Sequence, residues 1–191
     1  SDRIYFTLEN AVLTEGDKDL KPLYEAEYSD KSRQYTVTFP SEQADLGEGV
    51  LDINDSYLRY FEVRQNTEEG TTSLIFSGKA KNSYLIYTRE SGTTVITIVR
   101  PAADKDKLVV IDAGHGGTAI GTAYGQLTEK ELTLDIAKRM NALLKEKGVK
   151  TYMIRSEDCN VDNYERAYLA NMLNAKLFIS VHINGMESKS F

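Results

Sequence analysis

The 191-residue sequence has one cysteine, two histidines, three prolines and no tryptophan. A single thiol, Cys159, excludes an intrachain disulfide and leaves the compartment open, because exported proteins also fold without disulfides. The longest apolar runs, such as LVVI and LFISV, are of strand length, well short of the ~18–20 residues that span a bilayer. The opening SDRIYF has no basic-then-apolar leader, so we expect no signal peptide within these residues. The formal net charge is −6, with the acidic excess before Pro101 and no basic patch, which argues against a nucleic-acid partner. At 41% hydrophobic and 27% charged residues, the chain has the profile of an ordinary globular protein rather than a disordered one.

What is present divides into two rhythms. Up to about residue 100 the chain alternates: RQYTVTFP puts Tyr35, Val37 and Phe39 on one side and Thr36 and Thr38 on the other. TTSLIFSG, SYLIYTRE and TTVITIVRP continue in that style between the turn signals NTEEGTT, KAKN and ESGTT. The spacing predicts an all-β, sandwich-like domain over 1–101, with a loop at AVLTEGDKDLKP. The stretch PAADKDK reads as a linker over 102–107, and a second domain fills 108–191.

There the pattern becomes β-α-β-α-β, the signature of a parallel sheet in an α/β domain. KLVVID predicts a strand buried on both faces. Leu132, Ile136, Met140, Leu143 and Leu144 recur at helical steps, with Thr128 and Glu131 as a capping box and Gly148 as the stop. VKTYMIR is a second strand, DNYERAYLANMLNA a second helix with Asp162 and Glu165 at its start, and KLFISVHIN a third strand.

Ligands of open parallel sheets bind beyond the carboxyl ends of the strands. His115 follows the first strand, His182 lies near the end of the third, and Glu129 sits in the first turn of the helix starting at that rim. Taken singly, each has an ordinary explanation: a solvated loop histidine, a hydrogen-bonded strand histidine, a carboxylate favoured by the helix dipole. Their convergence on one edge favours a metal centre. A His₂Glu set on zinc leaves a fourth position for water, whose pKa falls towards ~7 while a carbonyl is polarised. GHGGTA also matches a dinucleotide fingerprint, but IGTAYGQ intervenes before the helix, which is the wrong context.

VVIDAGHGG, LTEKELTLDIAKRM, ERAYLAN and LFISVHIN together resemble the zinc-dependent N-acetylmuramoyl-L-alanine amidases of the amidase-3 type, over 107–185. The resemblance implies Zn²⁺ on His115, Glu129 and His182. It implies peptidoglycan as the partner, with cleavage of the amide between the lactyl group of N-acetylmuramic acid and L-alanine. It also implies an extracytoplasmic place at the bacterial envelope or beyond it. The first hundred residues resemble AMIN-type domains that precede such amidases; an immunoglobulin-like spacer would share the pattern. Asn184 is expected to line the cleft. Asp112, Arg155, Glu165, Arg166 and Asn171 fall in family-like motifs and are expected to serve structure, through strand-end hydrogen bonds, caps and salt bridges.

The sequence departs from the family pattern twice. Thr118-Ala119-Ile120 stands where an acidic residue is usual. The family's general-base glutamate is expected beyond Phe191, Glu187 coming too early to match it, so the reading expects only the first part of the amidase domain here, with weak or no hydrolysis and an uncovered sheet edge. The rival readings are a non-catalytic wall-binding or regulatory module, and another metallohydrolase on the same α/β plan. An activator protein is left open.

Overall fold

The computed structural model describes residues 3–16, 20–103 and 106–185, so Glu187 and part of the expected linker lie outside the described residues. The chain divides into two units, one of Ser1–Glu15 with Lys21–Pro101, the other of Gly16–Leu20 with Ala102–Phe191. Among the described residues no helix is long and apolar enough to cross a membrane.

In the first unit, β1 (Arg3–Leu8), β2 (Glu25–Ser29), β3 (Gln34–Pro40), β4 (Gly49–Asp52), β5 (Leu58–Asn66), β6 (Thr71–Gly78), β7 (Ser83–Arg89) and β8 (Thr94–Val99) follow one another. They form an antiparallel five-stranded sheet, β2-β3-β6-β5-β4, and an antiparallel set β1-β8-β7. The alternation read in RQYTVTFP is realised: Tyr35, Val37 and Phe39 are buried and Thr36 and Thr38 are half-buried. Their core is shared with Leu74, Phe76, Tyr84, Ile86, Ile96 and Ile98, so side chains of both strand sets fill one interior. Each such aliphatic side chain contributes about 1.5–3 kcal/mol on full burial. The expected loop at 11–22 contains one short ladder, Thr14–Glu15 against Lys21–Pro22.

The second unit is built on a parallel three-stranded sheet. β9 (Val109–Ala113) is central, flanked by β10 (Thr151–Met153) and β11 (Leu177–Val181). α1 (Glu129–Glu146) joins β9 to β10, and α2 (Asn163–Met172) lies between β10 and β11. Val110, Ile111, Asp112 and Ala113 are buried, as expected of a central strand covered on both faces. Both helix starts follow local chemistry. The Glu131 carboxylate accepts from the Thr128 N–H at 3.3 Å and its hydroxyl at 2.7 Å, closing the capping box. The Asp162 carboxylate caps α2 by accepting from the N–H of Tyr164 at 2.8 Å. Gly148, at φ 74°, donates to the Lys145 carbonyl and ends α1.

The apolar stripe of α1 is wider than the surface that covers it. Thr133 and Ala137 are fully buried, and the partly buried Leu134, Met140 and Leu144 pack, with Val109 and Met153, against the cluster of Ile111, Ala113 and Ala137. Leu132, Ile136 and Leu143, which helical spacing also placed on the core side, are exposed at 36%, 41% and 58%. Small residues at the contact line let the helix lie close to the sheet, and the flank towards Leu132 and Leu143 lies past it. β11 is likewise an edge strand, with Leu177 and Phe178 exposed.

Candidate metal centre

The sheet register assembles the centre. Ala113 of β9 is paired with Val181 of β11, and the Gly114 N–H donates to the Val181 carbonyl at 2.9 Å. The two strands therefore leave the sheet side by side, one into His115 and the other into His182. A side chain on Gly114 would collide with the His182 ring, so glycine is required for the loop to pass it. Gly121, at φ 69°, serves the same end opposite, where a Cβ would stand 2.7 Å from His115 Cδ2 and from the Glu129 carboxylate.

Glu129 opens α1, where its N–H donates to the Thr122 carbonyl at 2.8 Å. Its Oε1 lies 3.2 Å from His115 Nε2 and 3.1 Å from His182 Nδ1. The same oxygen accepts from the Ile183 N–H at 2.8 Å, and Oε2 accepts from the Thr122 N–H at 2.9 Å. One ligand atom from each of His115, Glu129 and His182 falls within 4.8 Å of the others. The imidazoles meet edge to face, 4.9 Å between centroids. Glu129 is buried, His115 partly so and His182 half-exposed.

The electrostatics suit a cation. Burial pushes the Glu129 carboxyl up, but the donors from Thr122 and Ile183 and the neighbouring imidazoles outweigh it, and its pKa falls below the usual carboxylate value. Burial lowers the His115 pKa, and the Glu129 charge only partly opposes this. A neutral imidazole and an ionised carboxylate are the forms that ligate a metal. Two nitrogens and a carboxylate oxygen are also the donor types of a catalytic zinc site. The residues fit zinc.

A cleft of about 740 Å³ opens over the trio, walled by Ile120, Thr122, Ile183 and Asn184. Among the described residues lining that cleft, Glu129 is the one carboxylate. Thr118, the first of the three residues where the resemblance leads one to expect an acid, also lines the cleft, and its N–H donates to Asn160 Oδ1 at 2.8 Å.

Of the residues assigned to structure, Asp112 and Arg166 form a buried ion pair at 2.6 Å, and Ser180 donates to the other Asp112 oxygen at 2.7 Å. Glu165 lies in the first turn of α2, and Asn171 is exposed on it. Arg155 proved richer than its assignment. Its guanidinium reaches the carbonyls of Ala113 and Gly114 and that of Lys130 in α1. Lys130 in turn bridges the Gly117 carbonyl at 2.8 Å and Asp158 at 2.5 Å. The only hint of these roles in the sequence is a lysine directly after Glu129 and an arginine closing the VKTYMIR run.

These features define a parallel α/β unit with a three-ligand centre at its carboxyl rim. Residues 109–191 match the family model Amidase_3, N-acetylmuramoyl-L-alanine amidase. Over 126 residues, 66% of this chain, it is 32% identical to the N-acetylmuramoyl-L-alanine amidase LytC of Bacillus subtilis, covering 25% of that protein. Over 128 residues, 64% of this chain, it is 33% identical to the N-acetylmuramoyl-L-alanine amidase AmiA of Salmonella typhimurium, covering 43% of it. Among solved structures, the N-acetylmuramoyl-L-alanine amidase AmiC2 of Nostoc punctiforme is 39% identical over 44% of this chain and 47% of its own, at a TM-score of 0.43. The chain spans under half the length of these relatives. The family model and the two curated relatives support the amidase family for the matched residues.

Proposed function

We propose that the second unit is the metal-holding part of a peptidoglycan amidase that cleaves the bond between the lactyl group of N-acetylmuramic acid and L-alanine. The observation that carries this is the convergence of His115, Glu129 and His182 ligand atoms within 4.8 Å at one rim. The family match over 109–191 supports it. In this reading His115, Glu129 and His182 hold Zn²⁺, which supplies Lewis acidity to polarise the scissile carbonyl and acidify water. Thr122 and Ile183 fix the carboxylate through their N–H groups. Ile120 and Ile183 give the cleft apolar walls, and Asn184 offers an amide to orient the substrate.

The proposal assigns the general base to a glutamate beyond Phe191, in line with the resemblance and with the single carboxylate among the described residues of the cleft. The 191 residues alone are then expected to bind zinc and hydrolyse weakly or not at all. Residues 1–101 act as an AMIN-like targeting or spacer domain and 102–107 as the linker, at an extracytoplasmic envelope location.

The rival reading is a non-catalytic wall-binding or regulatory module, which needs no metal. Elemental mass spectrometry of the purified chain decides between them, beside a His115→Ala control. Near-stoichiometric zinc that is lost in the control supports the amidase reading. No zinc in either, even after zinc is supplied, overturns it. Robust zinc-dependent hydrolysis by the 191 residues would instead overturn the assignment of the base outside them. Muropeptide product analysis with the full-length enzyme tests which bond is cut.

A further inference from the structure

Three consecutive carbonyls lead from β9 into the site, and two buried arginines from separate segments collect all three. The Ala113 carbonyl accepts from Arg155 Nε at 2.8 Å and from Arg166 Nη1 at 2.9 Å. The Gly114 carbonyl accepts from Arg155 Nη2 at 3.0 Å and from the Thr133 hydroxyl at 2.7 Å. The His115 carbonyl accepts from Arg166 Nη2 at 2.9 Å. Arg155 is 2% exposed and Arg166 5%.

The two guanidiniums do different work. Arg166 is anchored by the carboxylate of Asp112. Arg155 spends its donors on neutral groups: besides the loop carbonyls, Nη2 reaches the Lys130 carbonyl at 2.8 Å and the Thr133 hydroxyl at 3.2 Å. One nitrogen, Nη2, therefore joins the carbonyl immediately before His115 to that of the residue immediately after Glu129, while Nε of the same rigid plane holds the Ala113 carbonyl. An ammonium, a compact point charge on a flexible stem, cannot hold all three with the same geometry.

The loop needs such restraint. His115 sits at φ 61°, a left-handed conformation that is strained for a non-glycine residue. A loop carrying that strain relaxes unless its surroundings hold it.

We propose that Arg155 is a positioning residue for the metal centre, clasping the β9 loop to the first turns of α1 so that His115 and Glu129 keep their separation before any metal arrives. This rests on the metal-centre reading above. A merely structural arginine would affect folding alone. A positioning one also sets how well the folded protein takes metal, because groups that orient ligands change metal affinity about 10–100-fold.

The experiment is metal titration of the full 191-residue chain and of Arg155→Lys, Thr133→Val and, as a control, Arg139→Ala. Arg139 is exposed and pairs only locally with Asp135. Zn²⁺ affinity by competition and the visible absorption of the Co²⁺-loaded protein are read on samples shown folded by circular dichroism. We expect Arg155→Lys and Thr133→Val to bind Zn²⁺ about 10–100-fold more weakly with an altered Co²⁺ band, and Arg139→Ala to match the wild type. If Arg155→Lys does not fold, the nearly isosteric Thr133→Val, which removes the hydroxyl shared by Arg155 and the Gly114 carbonyl, decides the matter. Wild-type affinity and an unchanged Co²⁺ spectrum in the folded variants, with only the melting temperature lowered, would overturn the proposal. Failure of the wild type and Arg139→Ala alike to take either metal would overturn the metal-centre reading itself, and this inference with it.

Discussion

Arg166 and Asp112, 54 residues apart in the chain, form an ion pair at 2.6 Å with both side chains almost wholly buried. The pair ties α2 to the end of β9, one residue from the loop that carries His115. Asp112→Ala leaves a buried guanidinium without its counter-charge, and we expect a loss of about 3–5 kcal/mol in the unfolding of the second unit. The double variant Asp112→Ala/Arg166→Met should be less damaging than Asp112→Ala, since no charge is then stranded. Urea unfolding followed by circular dichroism, with Arg166→Met alone completing the cycle, checks both, and a double-variant loss equal to the sum of the two single losses would mean that the pair is not coupled.

Glu129 Oε1 lies against both His115 and His182, so on the proposed metal-centre reading Glu129→Gln should hurt the centre more than any neighbour's removal. Because residues outside the ligand set already change affinity about 10–100-fold, loss of the carboxylate should weaken Zn²⁺ binding by more than about 100-fold. A chelator competition assay reads this directly. Gln keeps an acceptor for only one of the two N–H groups, Thr122 on Oε2 or Ile183 on Oε1, so circular dichroism of the variant accompanies the titration.

Burial pushes the Cys159 thiol up to about 12 from an ordinary 9.0, the nearby Arg155 charge opposing it only in part. The folded protein thus holds the proton more tightly than the unfolded chain. The stability this provides is full below pH 9.0 and is lost as pH rises from there towards about 12. Cys159→Ala should flatten that alkaline loss in a melting-temperature series. At pH 8 the thiol should react slowly with a thiol reagent in the native protein and quickly in urea.

The uneven burial of α1 is testable at two adjacent positions. Ile136→Lys, on the exposed flank, should change stability by no more than about 0.5 kcal/mol. Ala137→Leu, at a fully buried contact, should cost about 1–3 kcal/mol by overpacking. Thermal unfolding of the two variants distinguishes them. The reverse order would place the core on the other side of the helix.

Much of this was legible in the sequence because the signals are local or follow from general rules of topology. Alternation in RQYTVTFP, the capping groups Thr128, Glu131 and Asp162, and Gly148 as a stop depend on side chains within a turn of the backbone they serve. The convergence of His115, Glu129 and His182 followed from strand ends and a helix start sharing one rim of a parallel sheet. The rest needed the tertiary structure. The clasp of Arg155 runs to backbone carbonyls, which every residue possesses and no sequence pattern marks. The left-handed His115 is a conformation imposed by neighbours distant in the chain. Helical spacing put Leu132, Ile136, Met140, Leu143 and Leu144 on one apolar stripe. Which flank of that stripe is buried depends on where the sheet ends, and that is set by strands from elsewhere in the chain.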